Sequence, residues 1–181
     1  MSRPQGGGPV PEAPPPAGVE VRPARPADGK DALALVARVA AEGRWIRTED
    51  VSSERGRRTR RRFRRSWTTE HADIVALAGG RVIGHLGVER ERGRQTRHVA
   101  SLGMAVDEFW RGKGVGSALL AEAFRWSAWA GVEKVALTVY PDNQRAINLY
   151  KKFGFTEEGR LSGHSKRASG YEDEIVMARW L

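Results

Sequence analysis

The chain has 181 residues, of which 40% are hydrophobic, enough for one domain with its own core but short for two. It contains no apolar run of about 18 residues, no signal-peptide pattern at its start and no cysteine. These features exclude a transmembrane helix, disulfides and thiolate metal sites, so we expect a cytoplasmic protein without a membrane partner.

The formal net charge of +9 is unevenly distributed along the chain. Eight arginines lie between Arg55 and Arg65, and the rest of the chain is nearly balanced. Such a cluster either attracts polyanions, nucleic acid among them, or forms the solvated face of a helix. Because no DNA- or RNA-binding motif accompanies the cluster, we do not expect nucleic acid as a partner.

The predicted elements begin after a proline-rich tail. Residues 1–18 hold six of the nine prolines and offer almost no side chain to a core, so we predict a disordered tail and one domain over residues 19–181. Periodicity and turn residues then predict, in chain order, a strand at 19–22, a helix from Pro26 to Gly43, an arginine-rich helix capped by Ser52 or Ser53, strands at 73–78, 81–91 and 98–106, a helix at 115–130, a strand at 134–140, a helix at 143–153 and strands at 155–159 and 171–180.

The most informative segment is the glycine-rich turn between the fourth strand and the helix that follows it. In Arg111-Gly-Lys-Gly-Val-Gly116, glycines let the backbone approach a ligand, and the free N–H groups of the helix's first turn point at an anion. Arg111 and Lys113 add positive charge. Ser117 stands where a dinucleotide-binding loop needs its third glycine, and no P-loop spacing occurs. The segment therefore predicts a pyrophosphate site of another kind.

This turn resembles the coenzyme A pyrophosphate motif of the GCN5-related N-acetyltransferase (GNAT) superfamily. A second stretch, Asn143-Gln-Arg-Ala-Ile-Asn-Leu-Tyr150-Lys-Lys-Phe-Gly-Phe155, is similar to the family's more specific helix-strand signature and follows at the required distance. The resemblance implies a mixed α/β fold: a single GNAT-type domain whose central, mostly antiparallel sheet has a V-shaped splay between the fourth and fifth strands, with helices on both faces.

The resemblance also implies acetyl-coenzyme A (acetyl-CoA) as co-substrate and no metal. Its pantetheine arm would bond to backbone groups exposed by the splay. The residues expected to contact it are Met104, Ala105, Val106, Arg111, Gly112, Lys113, Gly114, Val115, Gly116, Ser117, Asn143, Ala146 and Tyr150. Asn143 either bonds to the cofactor or only caps its helix.

The family's reaction is attack of a neutral amine on the thioester, and Tyr150 matches the position of the acid that protonates the leaving thiolate. Packing alone is the alternative role for Tyr150. Glu89, on the strand before the cofactor strand, is the candidate base, although a solvated strand residue is equally consistent with the sequence. Glu42 and Glu49 are candidates for recognising the substrate's positive charge. His85 and His98 are single histidines on strands, which favours structural roles.

The C-terminal half is similar to bacterial enzymes that acetylate amino acids or small peptides. We therefore expect transfer of acetyl to a primary amine of an amino acid, peptide or small metabolite. Two alternatives stay open: acetylation of protein N-termini or lysines, and a coenzyme A sensor whose arginine-rich helix contacts nucleic acid. The resemblance also admits a homodimer, for which the sequence locates no interface.

Overall fold

The computed structural model describes residues 8–46, 62–167 and 170–181. In chain order, the strands and helices of this part are β1 (Val19–Pro23), α1 (Gly29–Ala41), β2 (His71–Ala78), β3 (Arg81–Arg90), β4 (Val99–Val106), α2 (Val115–Ala130), β5 (Lys134–Val139), α3 (Gln144–Lys152), β6 (Thr156–Arg167) and β7 (Gly170–Trp180). Short 3₁₀ turns cover Pro26–Asp28, Phe63–Arg65 and Glu108–Trp110.

The seven strands form one sheet in the order β1-β2-β3-β4-β5-β7-β6. All neighbours are antiparallel except β4 and β5, which are parallel and are connected through α2. This parallel ladder covers only Val99–Ser101 of β4 and Lys134–Ala136 of β5. The remainder of β4 pairs with β3 alone, so the expected mixed sheet and its splay between the fourth and fifth strands are confirmed.

Helices cover both faces of the sheet, because alternate strand residues point to opposite sides. On one face, Leu35 and Val39 of α1 pack with Val75, Leu77 and Ala105. On the other face, α2 and α3 pack over the larger core, whose members include Leu119, Leu120, Ile74, Leu86, Ile147 and Phe155. None of the helices in the described ranges is long and apolar enough to cross a bilayer.

The predicted elements agree with the observed ones except at one strand and in one segment. The strand predicted at 155–159 extends to Arg167. Its second half could not be predicted, because this edge strand is mostly exposed and lacks the alternation of apolar residues that marks a half-buried strand. The predicted arginine-rich helix, with Ser52 and Ser53, lies outside the described residues apart from the turn at its end, Phe63–Arg65.

Residues 8–18 precede β1 without a helix or strand of their own. The carbonyl of Gly8 accepts a hydrogen bond from the Arg179 guanidinium, and Ala13 packs half-buried against the larger core. The Pro16 carbonyl accepts from the Val19 amide at 3.0 Å. The division into a tail of residues 1–18 and a domain of residues 19–181 stays a prediction.

Candidate functional site

A cleft of about 1500 Å³ opens where β4 and β5 part. One end is lined by the start of α2 and by α3, and the other by α1 and the 3₁₀ turn at Phe63–Arg65. It thus runs from the α2 face of the sheet through the splay to the α1 face. A molecule bound in it would touch both faces.

The glycine-rich turn forms the α2 end of this cleft. Gly112 and Gly114 have φ of 76° and 88°, a left-handed backbone that residues with a Cβ rarely adopt. Gly114 is the N-cap of α2, a helix of 16 residues, so the first N–H groups of α2 have no intrahelical acceptor. These N–H groups and the helix dipole suit a phosphate group, which fits the predicted pyrophosphate site.

The structure separates the turn residues that face the cleft from those that do not. Gly112, Gly114, Gly116 and Ser117 line it, whereas the Val115 side chain is fully buried in the core. Lys113 is exposed and its ammonium lies 5.4 Å from the Trp110 ring centroid. Val115 can therefore contribute only its backbone to a ligand.

Gly116 has a packing role in addition to its place on the cleft wall. A Cβ at this position would lie 3.0 Å from Leu149 Cδ2 and 3.4 Å from Met104 Cε. The glycine lets α2 approach α3 and β4 closely at the base of the splay. The third glycine of the motif thus serves the shape of the cleft as well as access to the backbone.

Arg111 is bound by protein groups. Its guanidinium donates to both carboxylate oxygens of Glu42, at 2.8 and 2.6 Å, and its Nε donates to the Val106 carbonyl at 2.9 Å. The hydrogen bonds from Arg111 hold the pKa of Glu42 below its usual value, despite partial burial. Glu42 and Arg111 therefore neutralise one another and join the end of α1 to the turn. Glu49, the other carboxylate considered for substrate charge, lies outside the described residues.

The freed edge of β4 forms the middle of the cleft. Met104, Ala105 and Val106 line it and have no partners on β5, because the parallel ladder ends at Ser101. Backbone groups on this edge are available to an extended ligand that adds to the sheet as a strand would. The pantetheine arm predicted for this position fits that edge.

Tyr150 and Asn143 come from α3 on the opposite wall. Burial raises the pKa of Tyr150 to about 12, so the phenol stays protonated across the physiological range. Its ring packs against Phe155, with centroids 5.6 Å apart. Asn143 caps α3, since its Oδ1 accepts from the Ala146 amide at 3.2 Å, and Ala146 also lines the cleft. The cap occupies the side-chain oxygen and leaves the amide NH₂ to face a ligand.

Glu89 lines the α1 end of the cleft with its side chain 44% exposed. One carboxylate oxygen accepts from Arg62 at 2.7 Å and the other from Arg92 at 3.2 Å. Both oxygens of the candidate base are thus held by guanidinium groups.

Sequence reasoning missed the group beside Glu89. Asp73, almost fully buried, accepts from Arg62 Nε at 3.2 Å through one oxygen, and its other oxygen lies 3.0 Å from His85 Nε2. Burial raises the pKa of Asp73, but the His85 hydrogen bond and the Arg62 charge outweigh it and leave the pKa below its ordinary value. An aspartate inside the otherwise apolar strand HADIVALA was the available signal. In the described ranges, no group of three or more His, Asp or Glu is arranged to hold a metal ion.

A sequence model of the Acetyltransferase (GNAT) family matches residues 41–155, which include the cleft's turn, β4 and all of α3. The chain belongs to the GNAT acetyltransferase family. This GNAT protein is 39% identical to the L-amino acid N-acetyltransferase AaaT of Escherichia coli (strain K12) over 107 residues, which cover 59% of the chain and 66% of that relative.

The chain is also similar to one further relative and to one solved structure. The GNAT protein is 33% identical over 118 residues to the N-alpha-acetyltransferase RimI of Mycobacterium tuberculosis, covering 65% of the chain and 72% of the relative. Its fold matches a GNAT phosphinothricin acetyltransferase from Sinorhizobium meliloti in complex with AcCoA, with a TM-score of 0.79 and 23% identity over 91% of this chain and 89% of that one. This structural similarity shows that the two proteins share a fold.

Proposed function

We propose that this GNAT protein transfers the acetyl group of acetyl-CoA to the primary amine of an amino acid, peptide or small metabolite. The observation that carries the proposal is the single cleft that joins an anion-binding helix end, a free strand edge and a charged pocket on the opposite face of the sheet. A donor and an acceptor entering from opposite faces would meet at the splay.

Residues on the donor side fit acetyl-CoA. The N–H groups at the start of α2 would hold its pyrophosphate, the edge at Met104–Val106 would hold its pantetheine arm, and Asn143 and Ala146 would line the other wall. When bound, acetyl-CoA supplies an activated acyl group as a thioester. That the solved phosphinothricin acetyltransferase holds AcCoA on the same fold supports this assignment.

In the reaction, the neutral amine forms the new C–N bond, the C–S bond breaks, and the nitrogen releases one proton to water. Backbone N–H groups near Val106 can stabilise negative charge on the carbonyl oxygen. Tyr150, which lines the cleft, would donate a hydrogen bond to the departing sulfur. Complete proton transfer from a phenol with a pKa of about 12 to a thiolate of about 8.5 is uphill by about 5 kcal/mol. Tyr150 therefore acts chiefly by donating a hydrogen bond to the thiolate, which then takes its proton from water.

The acceptor side favours a small amine that carries a carboxylate. Val36, Trp45 and Ile46 give this end an apolar wall. Arg64 and Arg65 are exposed and also line it, and no hydrogen bond or ion pair engages them within the described part of the chain. Guanidinium groups recognise carboxylates well. The relative named as an L-amino acid N-acetyltransferase supports the same acceptor class.

A protein N-terminus is the second candidate acceptor, favoured by the similarity to RimI and by an acceptor end that opens to solvent beside exposed arginines. Its α-amine has the same chemistry as that of an amino acid but lacks the neighbouring carboxylate. The two candidates therefore differ in whether that carboxylate is required.

Calorimetric titration with acetyl-CoA, followed by a free-thiol release assay, tests the proposal. The assay compares free L-amino acids, the corresponding amino-acid amides and short peptides. Micromolar binding with faster thiol release for the free amino acids supports the proposal. Preference for peptides or amides would favour the N-terminal acceptor, and absence of acetyl-CoA binding would overturn the donor assignment.

A further inference from the structure

A hollow lies on the α1 face of the sheet, beyond the part that α1 covers. Across β3 and β4 the residues pair as His85 with Ala105, Gly87 with Gly103 and Glu89 with Ser101. Directly opposed residues point to the same face. Gly87 and Gly103 therefore form the floor of the hollow, between the side chains of His85 and Glu89. A Cβ at Gly103 would meet no atom within 4 Å. The hollow therefore has room for a small ligand over Gly103.

The wall of this hollow is the group formed by Asp73, His85 and Arg62. A Cβ at Gly87 would lie 3.5 Å from Asp73 Oδ1 and 3.7 Å from His85 Cε1, which places the pair directly beside the floor. Two hydrogen bonds fix the position of Asp73: its amide donates to the Ser66 carbonyl at 2.8 Å, and its carboxylate accepts from Arg62. The His85 ring also packs on Phe63, with centroids 5.5 Å apart.

The carboxylate of Asp73 determines which nitrogen of His85 is free. Because the ionised carboxylate of Asp73 can only accept a hydrogen bond, Nε2 carries the proton and donates it in that bond, and the neutral imidazole has its lone pair on Nδ1. His85 lines the cleft, and the described residues provide Nδ1 with no hydrogen-bond partner. A histidine in a cleft wall, with one nitrogen bound by a buried carboxylate and the other without a partner in the described residues, is arranged to accept a proton.

Other charged groups lie around the imidazole. Arg62 bridges Asp73 and Glu89, and His71 adds a charge interaction with Asp73 from the start of β2. On the β4 side the neighbours are the uncharged Ala105 and Gly103. Protonating Glu89 would disrupt its two guanidinium contacts, whereas protonating His85 would place the positive charge against Asp73.

We propose that His85 accepts the proton that the acceptor ammonium must lose, with Asp73 and Arg62 as positioning residues. The ammonium N–H bond breaks and its proton moves to Nδ1, directly or through one water. The nitrogen lone pair then forms the C–N bond as the C–S bond breaks, and the nitrogen loses its second proton to water, which balances the proton that the thiolate takes up. The imidazolium later returns its proton to solvent. This inference rests on the proposed function and assigns its base to His85 instead of Glu89.

The test compares His85→Gln with Glu89→Gln and with His98→Gln, a control whose histidine stacks on Trp180 away from the cleft. Each variant is titrated with acetyl-CoA by calorimetry and assayed for kcat/KM against pH. We expect His85→Gln to lower kcat/KM about 100-fold or more near neutral pH, the usual range for a lost general base. Its acetyl-CoA affinity stays within about threefold of the parent, and the control matches the parent.

The pH profile separates a base from a structural histidine. In the parent, the acidic limb of kcat/KM should coincide with the NMR titration of the His85 imidazole, assigned by its absence in His85→Gln. In His85→Gln the limb should instead follow the ionisation of the acceptor, so an acceptor with a more acidic ammonium recovers most of the lost rate. Glu89→Gln should keep the acidic limb of the parent's pH profile, and its kcat/KM should fall by less than about tenfold.

Two outcomes would overturn the inference. One is a His85→Gln enzyme that keeps the parent's kcat/KM and the acidic limb of its pH profile. The other is a Glu89→Gln enzyme whose pH profile has lost that acidic limb. If His85→Gln fails to fold, Asp73→Asn replaces it. The acidic limb of kcat/KM in Asp73→Asn must then shift along the pH axis together with the NMR titration of the His85 imidazole. Failure of the proposed function is a separate result, since the parent itself would then release no thiol with any amine.

Discussion

The two ends of the cleft recognise their ligands by different means. The donor end is built from backbone: free N–H groups of α2, two glycines with positive φ and an unpaired strand edge. The acceptor end is built from side chains of α1, the residues just after it, β2, β3 and the Phe63–Arg65 turn. Backbone recognition depends on little more than the chain's path, whereas side-chain recognition can be altered one residue at a time. One fold can therefore keep the same acetyl-donor site while the specificity of its acceptor site varies.

The largest expected effect is at the donor end. Gly114→Glu should raise the Kd for acetyl-CoA at least about 100-fold, because a like charge at an anion site costs several kcal/mol and a Cβ is strained at φ 88°. Gly131→Glu is the matched control. It lies at the other end of α2 with φ 68° and open space around it. Calorimetry should give a nearly unchanged Kd there, and equal losses in both variants would mean that strain alone is responsible.

Tyr150 lies on α3 in the cleft wall, and Tyr150→Phe should affect turnover more than binding. Removing a hydrogen bond to a developing anion costs about 1.5–3 kcal/mol, which corresponds to a fall of about 10- to 100-fold in kcat. Acetyl-CoA affinity should stay within about threefold of the parent. Steady-state kinetics and calorimetry on the same preparation measure both quantities. An unchanged kcat would leave Tyr150 with a packing role beside Phe155.

A smaller effect, confined to the acceptor, is expected from Arg64→Ala/Arg65→Ala. Loss of one or two charge-assisted hydrogen bonds should raise KM for free amino acids about 5- to 30-fold and leave KM for the amino-acid amides within about twofold. Arg81→Ala, at an exposed arginine at the start of β3 outside the cleft, controls for the loss of a surface positive charge elsewhere. A KM that rises equally for acids and amides would rule out carboxylate recognition by this pair.

The smallest effect concerns the contact between the ends. Glu42→Gln should lower stability by about 1 kcal/mol, or about 2–4 °C in Tm, because it removes a bidentate pair with Arg111. The folded-state pKa of Glu42 is depressed, so its contribution is present above the unfolded-state pKa of about 4.3 and is lost as pH falls through the folded value. Thermal unfolding should show the difference from the parent at pH 7 and not near pH 3. A difference independent of pH would contradict an ionic origin.

Local signals predicted much of the donor end and less of the acceptor end. The start of α2 could be predicted because the glycine-rich turn and the helix periodicity lie within one continuous stretch, and its bounds, Val115–Ala130, match the prediction. The position of β7 between β5 and β6 depends on contacts between distant residues, which no short pattern specifies.

The Asp73–His85 pair depends on a single irregularity in the β2–β3 hairpin. Leu77 pairs with Val82 but Ala76 pairs with Gly84, so Ile83 is an extra residue in β3. Without it, a regular hairpin would pair His85 with Ile74 and place Asp73 on the opposite face from His85. The adjacent Gly79 and Gly80 between the two strands favour a hairpin turn but do not predict the bulge. The sequence alone therefore left His85 as a single structural histidine.

The order of the strands has a consequence for how the chain is made. β7 lies between β5 and β6, although it is the last of the three to be synthesised. Until β7 leaves the ribosome, β5 has an unpaired edge and β6 has no neighbour in the sheet. Such edges are prone to pair with other chains. A nascent chain that stalls before Gly170 should therefore be a strong chaperone client, although it already contains every residue assigned here to binding and transfer.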